Sequence, residues 1–534
     1  MRAPSITHRL LRVLILLLLA FPGAADAADL RDALKGFAAD SYSDTAAAVG
    51  AVAGSGDPRA LGVLEALQAD TLFASGDAPG VLIKTESGFA DAATGAPVTP
   101  AAPPKPVRQN NRVRTLVASA LGDLTLLSPD PARRRDAALT VFRSRNPAAL
   151  KTLDQALGRE TDPGIKAALE RARAAIVLTA GDAPEDDRLR AIEQIRGAGD
   201  GDAAALLSAV AANGSGRVKA AAEAALAAVQ SRMALWAHAQ NVWYGVSLGS
   251  VLLLAAVGLA ITFGVMGVIN MAHGEMVMIG AYVTFLVQDW LRAHQPGWFD
   301  QSLFIAVPLA FLVTGALGVL IERGIIRWLY GRPLETLLAT FGLSLILQQA
   351  VRTLFGASNR EVGAPRFMAG AFELGGLSIT YGRLWIVVFA IAVFFALQAV
   401  LRLTSFGLKI RAVTQNRRMA AAMGVDTNRV DALAFGLGSG IAGMAGVALS
   451  QIDNVSPNLG QGYIIDSFLV VVFGGVGNLW GTLVAALTLG VANKFLEPLV
   501  GAVLGKIALL VLIILFIQKR PRGLFALKGR AVEA

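Results

Sequence analysis

The chain has 534 residues, of which 54% are hydrophobic and only 16% are charged, and its mean hydropathy is +0.55. This composition excludes a disordered protein and disfavours an ordinary soluble enzyme. The formal net charge is +9, and the sequence has no cysteine, which excludes disulfides, thiolate nucleophiles and cysteine-ligated metal sites.

Charge and tryptophan content divide the chain near Trp236. Residues 1–235 contain 27 Lys and Arg against 26 Asp and Glu, whereas the remainder contains 21 against 13. All seven tryptophans lie in the second part. Its excess positive charge falls in clusters between hydrophobic runs, which indicates membrane topology rather than a nucleic-acid-binding face. We therefore expect a lipid membrane as a partner and no nucleic acid.

The N-terminal residues are typical of a secretory signal. Three arginines precede an apolar run over 13–21, and an Ala-Asp-Ala triplet ends at Ala27. A run of roughly ten apolar residues is shorter than the ~20 that a membrane span needs, although a first transmembrane helix is the alternative interpretation. We expect cleavage after Ala27. The predicted domains are a signal peptide (1–27), a periplasmic domain (28–235) and a transmembrane domain (236–534).

The predicted periplasmic domain shows helical periodicity and a weak internal repeat. Residues 136–176 resemble 188–229 at an offset of 53 to 56, with IKAA at Ile165 aligned with VKAA at Val218. Repeated helical units that bury one face against the next are typical of solenoids, so the domain is predicted to be helical and HEAT-like. An alanine-rich bundle without true repeats is the alternative.

A different pattern interrupts the helices of this domain. Residues 81–84 and Val98 favour short strands, and five prolines mark an extended connector up to Pro106. The domain shows no constellation of His, Ser and carboxylate residues that would make it an enzyme. We expect at most a docking or spacing role.

The second part contains about eight hydrophobic segments long enough to cross a membrane, which predicts an all-α polytopic membrane protein. They cover residues 242–269, 271–291, 303–326, 334–355, 382–401, 428–450, 466–493 and 500–518.

Basic clusters near residues 323–332, 402–429 and 519–530 are expected to face the cytoplasm. With an exported N-terminal domain, eight full crossings would leave the basic tail outside, so one segment must be incomplete. Glycine-interrupted runs are the candidates, because a broken helix survives at membrane depth only when protein or a water-filled cavity surrounds it. Two runs qualify, at 264–280 and 474–481, and we predict the second as the half-crossing.

Four runs in order carry a resemblance to a known family. They are INMAHGEMVMIGAY at 269–282, FGLKIRAVTQNRRMAAAMGV at 406–425, GIAGMAGV at 440–447 and VVVFGGVGNLWGTLVAALTLG at 470–490. Over roughly 240–525 the chain resembles the permease subunits of branched-chain amino acid and urea ATP-binding-cassette (ABC) importers. The secreted extension resembles the urea branch.

The resemblance implies a multi-pass permease in a bacterial inner membrane that is not an enzyme and needs no cofactor. It implies cytoplasmic ABC ATPase subunits, a second homologous permease subunit and a periplasmic solute-binding protein as partners. Urea is the expected substrate. A branched-chain amino acid permease is the alternative, as is a passive channel or ion-coupled carrier.

Two groups of residues are candidate functional sites, and none is a catalytic residue. A polar lining for a small solute is predicted at Asn270, His273, Glu275, Gly474, Gly475, Gly477 and Asn478. For the first three, a satisfied hydrogen-bond network that pins a helix break is the alternative. No metal site is expected, because a histidine and a glutamate two residues apart on a helix point to different faces.

The resemblance further implies a coupling helix that docks on the ATPase, at Arg411, Asn416, Arg417, Arg418, Ala420, Ala421 and Gly424. Small alanines would allow close docking, and arginines would give charge complementarity. The alternative is that these arginines serve only as the positive charges of a cytoplasmic loop.

Overall fold

The computed structural model describes residues 26–525 except 56, 77, 79, 86, 87, 181 and 182. Helices make up 75% of the structure, which confirms the predicted all-α polytopic class. The chain divides into two compact units between Met233 and Ala234. The predicted signal peptide, apart from its last two residues, lies outside the described residues, as does the end of the basic tail.

The first unit is mainly helical. Aspartate or asparagine side chains cap four of its helices by accepting hydrogen bonds from first-turn N–H groups, and proline opens two of these. The helices are α1 (Asp26–Leu34), α2 (Tyr42–Gly54), α3 (Ala60–Gln68), α4 (Asn111–Thr125), α5 (Pro131–Ser144), α6 (Leu150–Arg159), α7 (Pro163–Thr179), α8 (Glu185–Ala198), α9 (Gly201–Asn213) and the beginning of α10 (Gly216–Met266).

The sequence repeat corresponds to two groups of three helices, α5–α6–α7 and α8–α9–α10. The matched helices α7 and α10 bury equivalent positions: Ile165 and Leu169 in α7 correspond to Val218 and Ala222 in α10, and all four are under 5% exposed. One hydrophobic core runs through both groups. The same helical face is therefore buried in each group of three helices. This supports true repeats rather than a bundle of unrelated helices.

A small antiparallel sheet completes the first unit. Its strands are β1 (Leu72–Ala74), β2 (Val81–Thr85), β3 (Gly88–Asp91), β4 (Pro97–Val98) and β5 (Lys105–Pro106), in the order β4-β3-β2-β1-β5. The strands predicted at 81–84 and Val98 are confirmed. The sequence did not predict β1, β3 and β5, since strands of two to four residues show too little alternation to recognise.

The second unit is built from apolar helices. They are the rest of α10, α11 (His273–His294), α12 (Ser302–Gly324), α13 (Pro333–Phe355), α14 (Tyr381–Leu403), α15 (Ser405–Gln415), α16 (Arg417–Ala422), α17 (Thr427–Leu449), α18 (Leu459–Gly474), α19 (Leu479–Val500) and α20 (Ala502–Lys519). Among the described residues, seven helices are long and apolar enough to cross a membrane: α10, α12, α13, α14, α17, α19 and α20.

The hydrophobic segment at 466–493 is interrupted at the predicted glycine run. It comprises the end of α18 and most of α19, separated at Gly475, where φ is +103°. That backbone conformation suits glycine, which has no Cβ to clash. With 16 residues, α18 is about 24 Å long, which is shorter than a hydrocarbon core. The predicted break therefore lies between two helices, and the short one precedes it.

Contacts between loops follow the predicted sidedness. The loop after α13 and the loop after α17, both predicted outside, pair through the backbones of Arg360 and Val455. On the basic side, Arg417 lies over the ring of Tyr330, which precedes α13. The break after α18 contacts the basic tail, since the Phe525 N–H donates to the Gly474 carbonyl. The short α18 and the break after it therefore lie against the basic tail.

A hairpin that the sequence did not predict follows α13. Strands β6 (Ala371–Leu374) and β7 (Leu377–Thr380) flank Gly375 and Gly376, which pack against the ring of Trp236. Gln240 of α10 accepts from the Ser378 N–H and donates to its carbonyl, at 2.9 and 3.0 Å. A Gly-Gly pair between two short alternating runs is the signal that would have found this hairpin.

Glycine sets the closest helix contacts of the second unit. On α17, a Cβ at Gly446 would overlap the carbonyl oxygen of Val277 in α11, and one at Gly443 would overlap the Thr314 hydroxyl in α12. Small residues that let backbones approach in this way drive helix association in membranes. The helix α17 therefore packs against α11 and α12 through its glycine face.

We predict that Gly446→Ala destabilises the protein by about 1–3 kcal/mol, because the added methyl has no space. The measurement is the midpoint temperature of detergent-solubilised protein, followed by size exclusion after heating. Gly342→Ala is the matched control, since nothing lies within 4 Å of a Cβ there. Equal midpoints for the two variants would contradict the close packing.

Asp123 gives the first unit a pH-dependent stability. Its carboxyl sits in the last turn of α4, accepts from Asn146 Nδ2 at 3.1 Å, and has one buried oxygen without a partner. Burial raises the pKa of this carboxyl from 3.8 to about 6. The folded state therefore keeps a proton that the unfolded chain releases at lower pH.

The free energy of unfolding of this unit should fall as the pH rises from about 4 to above 6, by roughly 1–2 kcal/mol because solvent screens a half-buried group. Asp123→Asn should remove this slope. Urea unfolding of residues 28–233, followed by far-UV circular dichroism, measures it. The same slope in the variant and the wild type would contradict the assignment.

Candidate functional site

The chain breaks between α10 and α11 inside the apolar unit. Gly267 has φ of +69°, and helical structure resumes at His273. The Asn270 side chain, 1% exposed, accepts from the Ala272 N–H at 3.0 Å. The Met271 N–H donates to the hydroxyl of Thr340 in α13 at 3.2 Å. Backbone groups freed by the break are thus bonded within the protein, as membrane depth requires.

His273 faces α10. Its Nε2 lies 2.9 Å from the Ala255 carbonyl oxygen, and the side chain is 1% exposed. Its Nδ1 has no hydrogen-bond partner among the described residues. Gly258, one turn further along α10, leaves the space that the ring occupies, since a Cβ there would lie 3.0 Å from Cε1.

Glu275 faces α13 instead. Its Oε1 accepts from the Ser344 hydroxyl at 2.8 Å and from Gln348 Nε2 at 2.7 Å. The residue is 1% exposed, and no cation pairs with it within the described chain. Its Oε2 has no partner there either. The histidine and the glutamate thus point to different helices, and the second carboxylate oxygen is left with capacity to bind.

The helix that supplies these partners was predicted as a hydrophobic segment, but its polar face was not. In α13 the fully buried polar residues recur every four positions, whereas much of the rest of the helix surface is exposed. Single Ser, Thr or Gln residues in an apolar helix are ordinary, but polar residues spaced four apart lie on one face of the helix. These residues, termed the polar stripe, are Thr336, Thr340, Ser344 and Gln348.

The second predicted group lies at the break after α18. Asn478 caps α19 by accepting from the Trp480 and Gly481 N–H groups, and its Nδ2 donates to the Phe525 carbonyl at 3.2 Å. Gly475 has φ of +103° and Gly477 has φ of +79°, and Gly474 packs on Gly481. Gly474 and Asn478 contact the tail, and Gly477 packs against Gly264 of α10. His273 also contacts α10, and Glu275 contacts α13. Both groups therefore border α10, and no hydrogen bond between described residues joins one group to the other.

A cavity of about 440 Å³ joins the second break to the basic helices. Its lining includes Gly477 and Asn478 from the break, and Arg411, Thr414 and Gln415 from α15. The second break thus opens towards the region predicted to couple to the ATPase.

Three of the predicted coupling residues form an anchoring set, which is bonded to neighbouring groups, and others form an exposed set on the outer face of α16. Asn416 caps α16 through the Met419 N–H at 3.0 Å, and Arg411 donates to the Leu401 carbonyl. Arg417 pairs with Asp431 of α17, which is fully buried, and its guanidinium lies 4.9 Å from the centre of the Tyr330 ring. These side chains hold α16 against the membrane helices.

The exposed set forms the outer face of α16 and the turn after it. Arg418, Ala421 and Gly424 are exposed, whereas Ala420 is buried. Two residues that the sequence did not single out are the most prominent, since Met419 is 62% and Met423 is 79% exposed. Exposed methionines are adaptable contact residues, so this face is suited to a protein partner.

Residues 241–517, just over half of the chain, match the family described as branched-chain amino acid transport system / permease component. The chain belongs to this family. The residues before 241, which include the first unit, lie outside the match. No solved structure matches the chain.

Curated relatives of the chain are permease proteins. The high-affinity branched-chain amino acid transport system permease protein BraD of Pseudomonas aeruginosa is 30% identical over 297 residues, which are 54% of this chain and 96% of that protein. The permease protein LivH of Escherichia coli strain K12, of the same description, is 32% identical over 298 residues, covering 53% and 94%. The ribose import permease protein RbsC of that strain is 24% identical over 259 residues, covering 47% and 75%.

We predict that Gln348→Leu destabilises this permease by about 1–3 kcal/mol, since the Glu275 carboxylate loses one of its two hydrogen bonds while it stays buried. Glu275→Gln in the same chain should recover part of the loss, because no charge is then left buried. Gln349→Leu, at the exposed neighbouring position, is the control. Thermal midpoints in detergent measure the cycle, and purely additive effects would contradict the interaction.

Proposed function

We propose that the chain is the permease subunit of an ATP-driven importer that moves branched-chain amino acids into the cytoplasm. Membership of the permease family and the similarity to the branched-chain amino acid permeases BraD and LivH support this substrate over urea. The observation that carries the proposal is Glu275, a buried carboxylate with a free oxygen beside a helix break. The ammonium group of an amino acid would bind that oxygen.

The start of α11 supports the same substrate class. A helix N-terminus carries partial positive charge, and α11 begins two residues before Glu275. Broken membrane helices place such ends towards anionic substrate groups. An amino acid carboxylate near the α11 terminus and an ammonium at Glu275 would match the two ends of a zwitterion. Asn270 and His273 would then position the break.

Urea is the second candidate. The partners of Glu275 are an uncharged hydroxyl and an uncharged amide, which suit a small neutral solute with N–H donors. Urea has no carboxylate group, so its site would need no positively charged partner. The discriminating measurement is therefore uptake, not binding geometry.

Docking of an ATPase is assigned to the outer face of α16. Met419 and Met423 would enter a groove of the cytoplasmic ATPase subunit, and Arg418 would orient it. Arg417 would transmit movement, because it ties α16 to the buried Asp431 of α17. The Gly474–Asn478 break would respond through the cavity that it shares with α15.

The remaining assignments follow from the family. A second homologous permease subunit would complete the pathway, and a periplasmic solute-binding protein would deliver substrate to the side of the Arg360 and Val455 loops. The chain would lie in the bacterial inner membrane with its first unit in the periplasm, exported by the predicted signal.

The test is uptake of labelled leucine and labelled urea by cells that carry the chain with its ABC ATPase, second permease and binding protein. We expect ATP-dependent uptake of leucine to exceed that of urea at least tenfold. Met419→Asp with Met423→Asp should reduce uptake at least tenfold without lowering the amount of inserted protein, because two charges disrupt an apolar contact.

Met233→Asp is the matched control, since it places the same charge at an exposed methionine of the first unit. Uptake of urea in excess of leucine would establish the second candidate. Uptake that continues without any ATPase subunit would overturn the importer proposal altogether.

A further inference from the structure

Two arginines of the first unit have no ion-pair partner among the residues that the structure describes. Arg145 and Arg188 form no ion pair with any residue that the structure describes, and the Nε atom of each is buried without a hydrogen bond. Arg143 and Arg190, two residues away along the chain, pair with Asp202 and Asp187. A buried guanidinium nitrogen without an acceptor is unfavourable unless a ligand supplies one.

Both arginines line the same cavity, of about 270 Å³. Their charges come from two different helical regions, since Arg145 follows α5 and Arg188 lies in the first half of α8. Leu178, Leu206 and Val210 form an apolar wall of the same cavity. The site thus combines two positive groups with a hydrophobic surface.

Helix ends set the net charge of this cavity. Thr179, at the end of α7, and Asn213, at the end of α9, also line it, and Arg145 is the residue that ends α5. Each helix C-terminus carries about half a negative charge. Three such ends offset part of the charge of the two guanidinium groups, whereas the N-termini of α8 and α10, near Arg188 and Gly214, add to it. The site therefore keeps a positive charge that an anion would balance.

We propose that this cavity binds a small organic acid, a monocarboxylate that carries a short apolar chain. A carboxylate accepts paired hydrogen bonds from a guanidinium group, and two guanidinium groups fix its position. The apolar chain lies on the wall formed by Leu178, Leu206 and Val210. The cavity, slightly smaller than the usual range of ligand pockets, excludes large molecules.

The backbone at Arg145 supports a binding role. Its φ is +53°, a left-handed conformation that ordinarily favours glycine at the end of a helix. Arginine in this conformation is less stable than glycine would be. Its presence therefore supports a role for the guanidinium group. This inference does not depend on the transport proposal, because every residue involved lies in the first unit.

The experiment uses the full chain in phosphatidylcholine nanodiscs and isothermal titration calorimetry with 3-methylbutanoate, acetate, 3-methylbutanamide and inorganic phosphate. We expect 3-methylbutanoate to bind about tenfold or more tightly than acetate, because its branched chain buries apolar surface. The uncharged amide should bind at least tenfold more weakly than the acid. Phosphate should bind more weakly than 3-methylbutanoate.

Matched variants locate the site. Arg145→Gly and Arg188→Gln should each weaken binding of 3-methylbutanoate at least tenfold, whereas Arg143→Gln and Arg190→Gln should change it less than twofold. Arg145→Gly relieves the left-handed backbone, so it should fold at least as well as the wild type. Arg188→Lys should recover part of the affinity lost in Arg188→Gln, since it restores the charge.

Circular dichroism and thermal midpoints of each variant check that the first unit is folded. Equal affinity for the acid and its amide would overturn the proposal, as would unchanged binding in the variant that lacks both Arg145 and Arg188. Tighter binding of phosphate than of 3-methylbutanoate would overturn the assignment to an apolar monocarboxylate.

Discussion

Satisfying backbone hydrogen-bonding groups at membrane depth is the constraint on which the second unit depends. Two helix breaks interrupt apolar runs, and each leaves N–H and C=O groups that lipid cannot solvate. Asn270 and Thr340 satisfy groups of the first break, and Asn478 satisfies the start of α19 at the second. Both breaks therefore need neighbouring protein on all sides, which fixes where α13 and the C-terminal tail must pack.

The breaks also determine which contacts between helices are tight. Around the first break, glycines of α17 let α11 and α12 approach until backbones touch, so these three helices form a rigid centre. By contrast, α13 is buried mainly through hydroxyl and amide groups. The unit therefore combines one group of closely packed helices with one helix held largely by hydrogen bonds.

Much of the fold could be predicted from the sequence because its signals are local. Hydrophobic length located the helices, and the glycine run at 474–477 located the second break. The lengths of the two helices on either side of that break were not predicted, since the apolar run continues on both sides of Gly475. The helical repeats, by contrast, could be predicted, because their buried faces follow from the positions matched at Ile165 and Val218.

The candidate site was only partly predictable, because its partners are distant in the chain. His273 and Glu275 are recognisable as ionisable groups in an apolar run, but Ser344 and Gln348 bind Glu275 from about 70 residues away. Arg417 is predicted as a coupling residue, but its contacts with Asp431 and Tyr330 could not be predicted from the sequence. Exposure of Met419 and Met423 depends on which side of α16 faces the membrane helices, and six residues are too few for periodicity to show this.

The residues of the polar stripe are spaced four apart, so a shift of α13 by four residues would place one member of the stripe where another was. A displacement along its axis by four residues, about 6 Å, would bring Thr340 to the level of Ser344, and Ser344 to that of Gln348. The Thr340 hydroxyl would then replace the Ser344 hydroxyl, and the Ser344 hydroxyl would replace the longer Gln348 amide. A hydroxyl group would thus face Glu275 in either register, so such a shift would not leave the buried carboxylate without a polar neighbour.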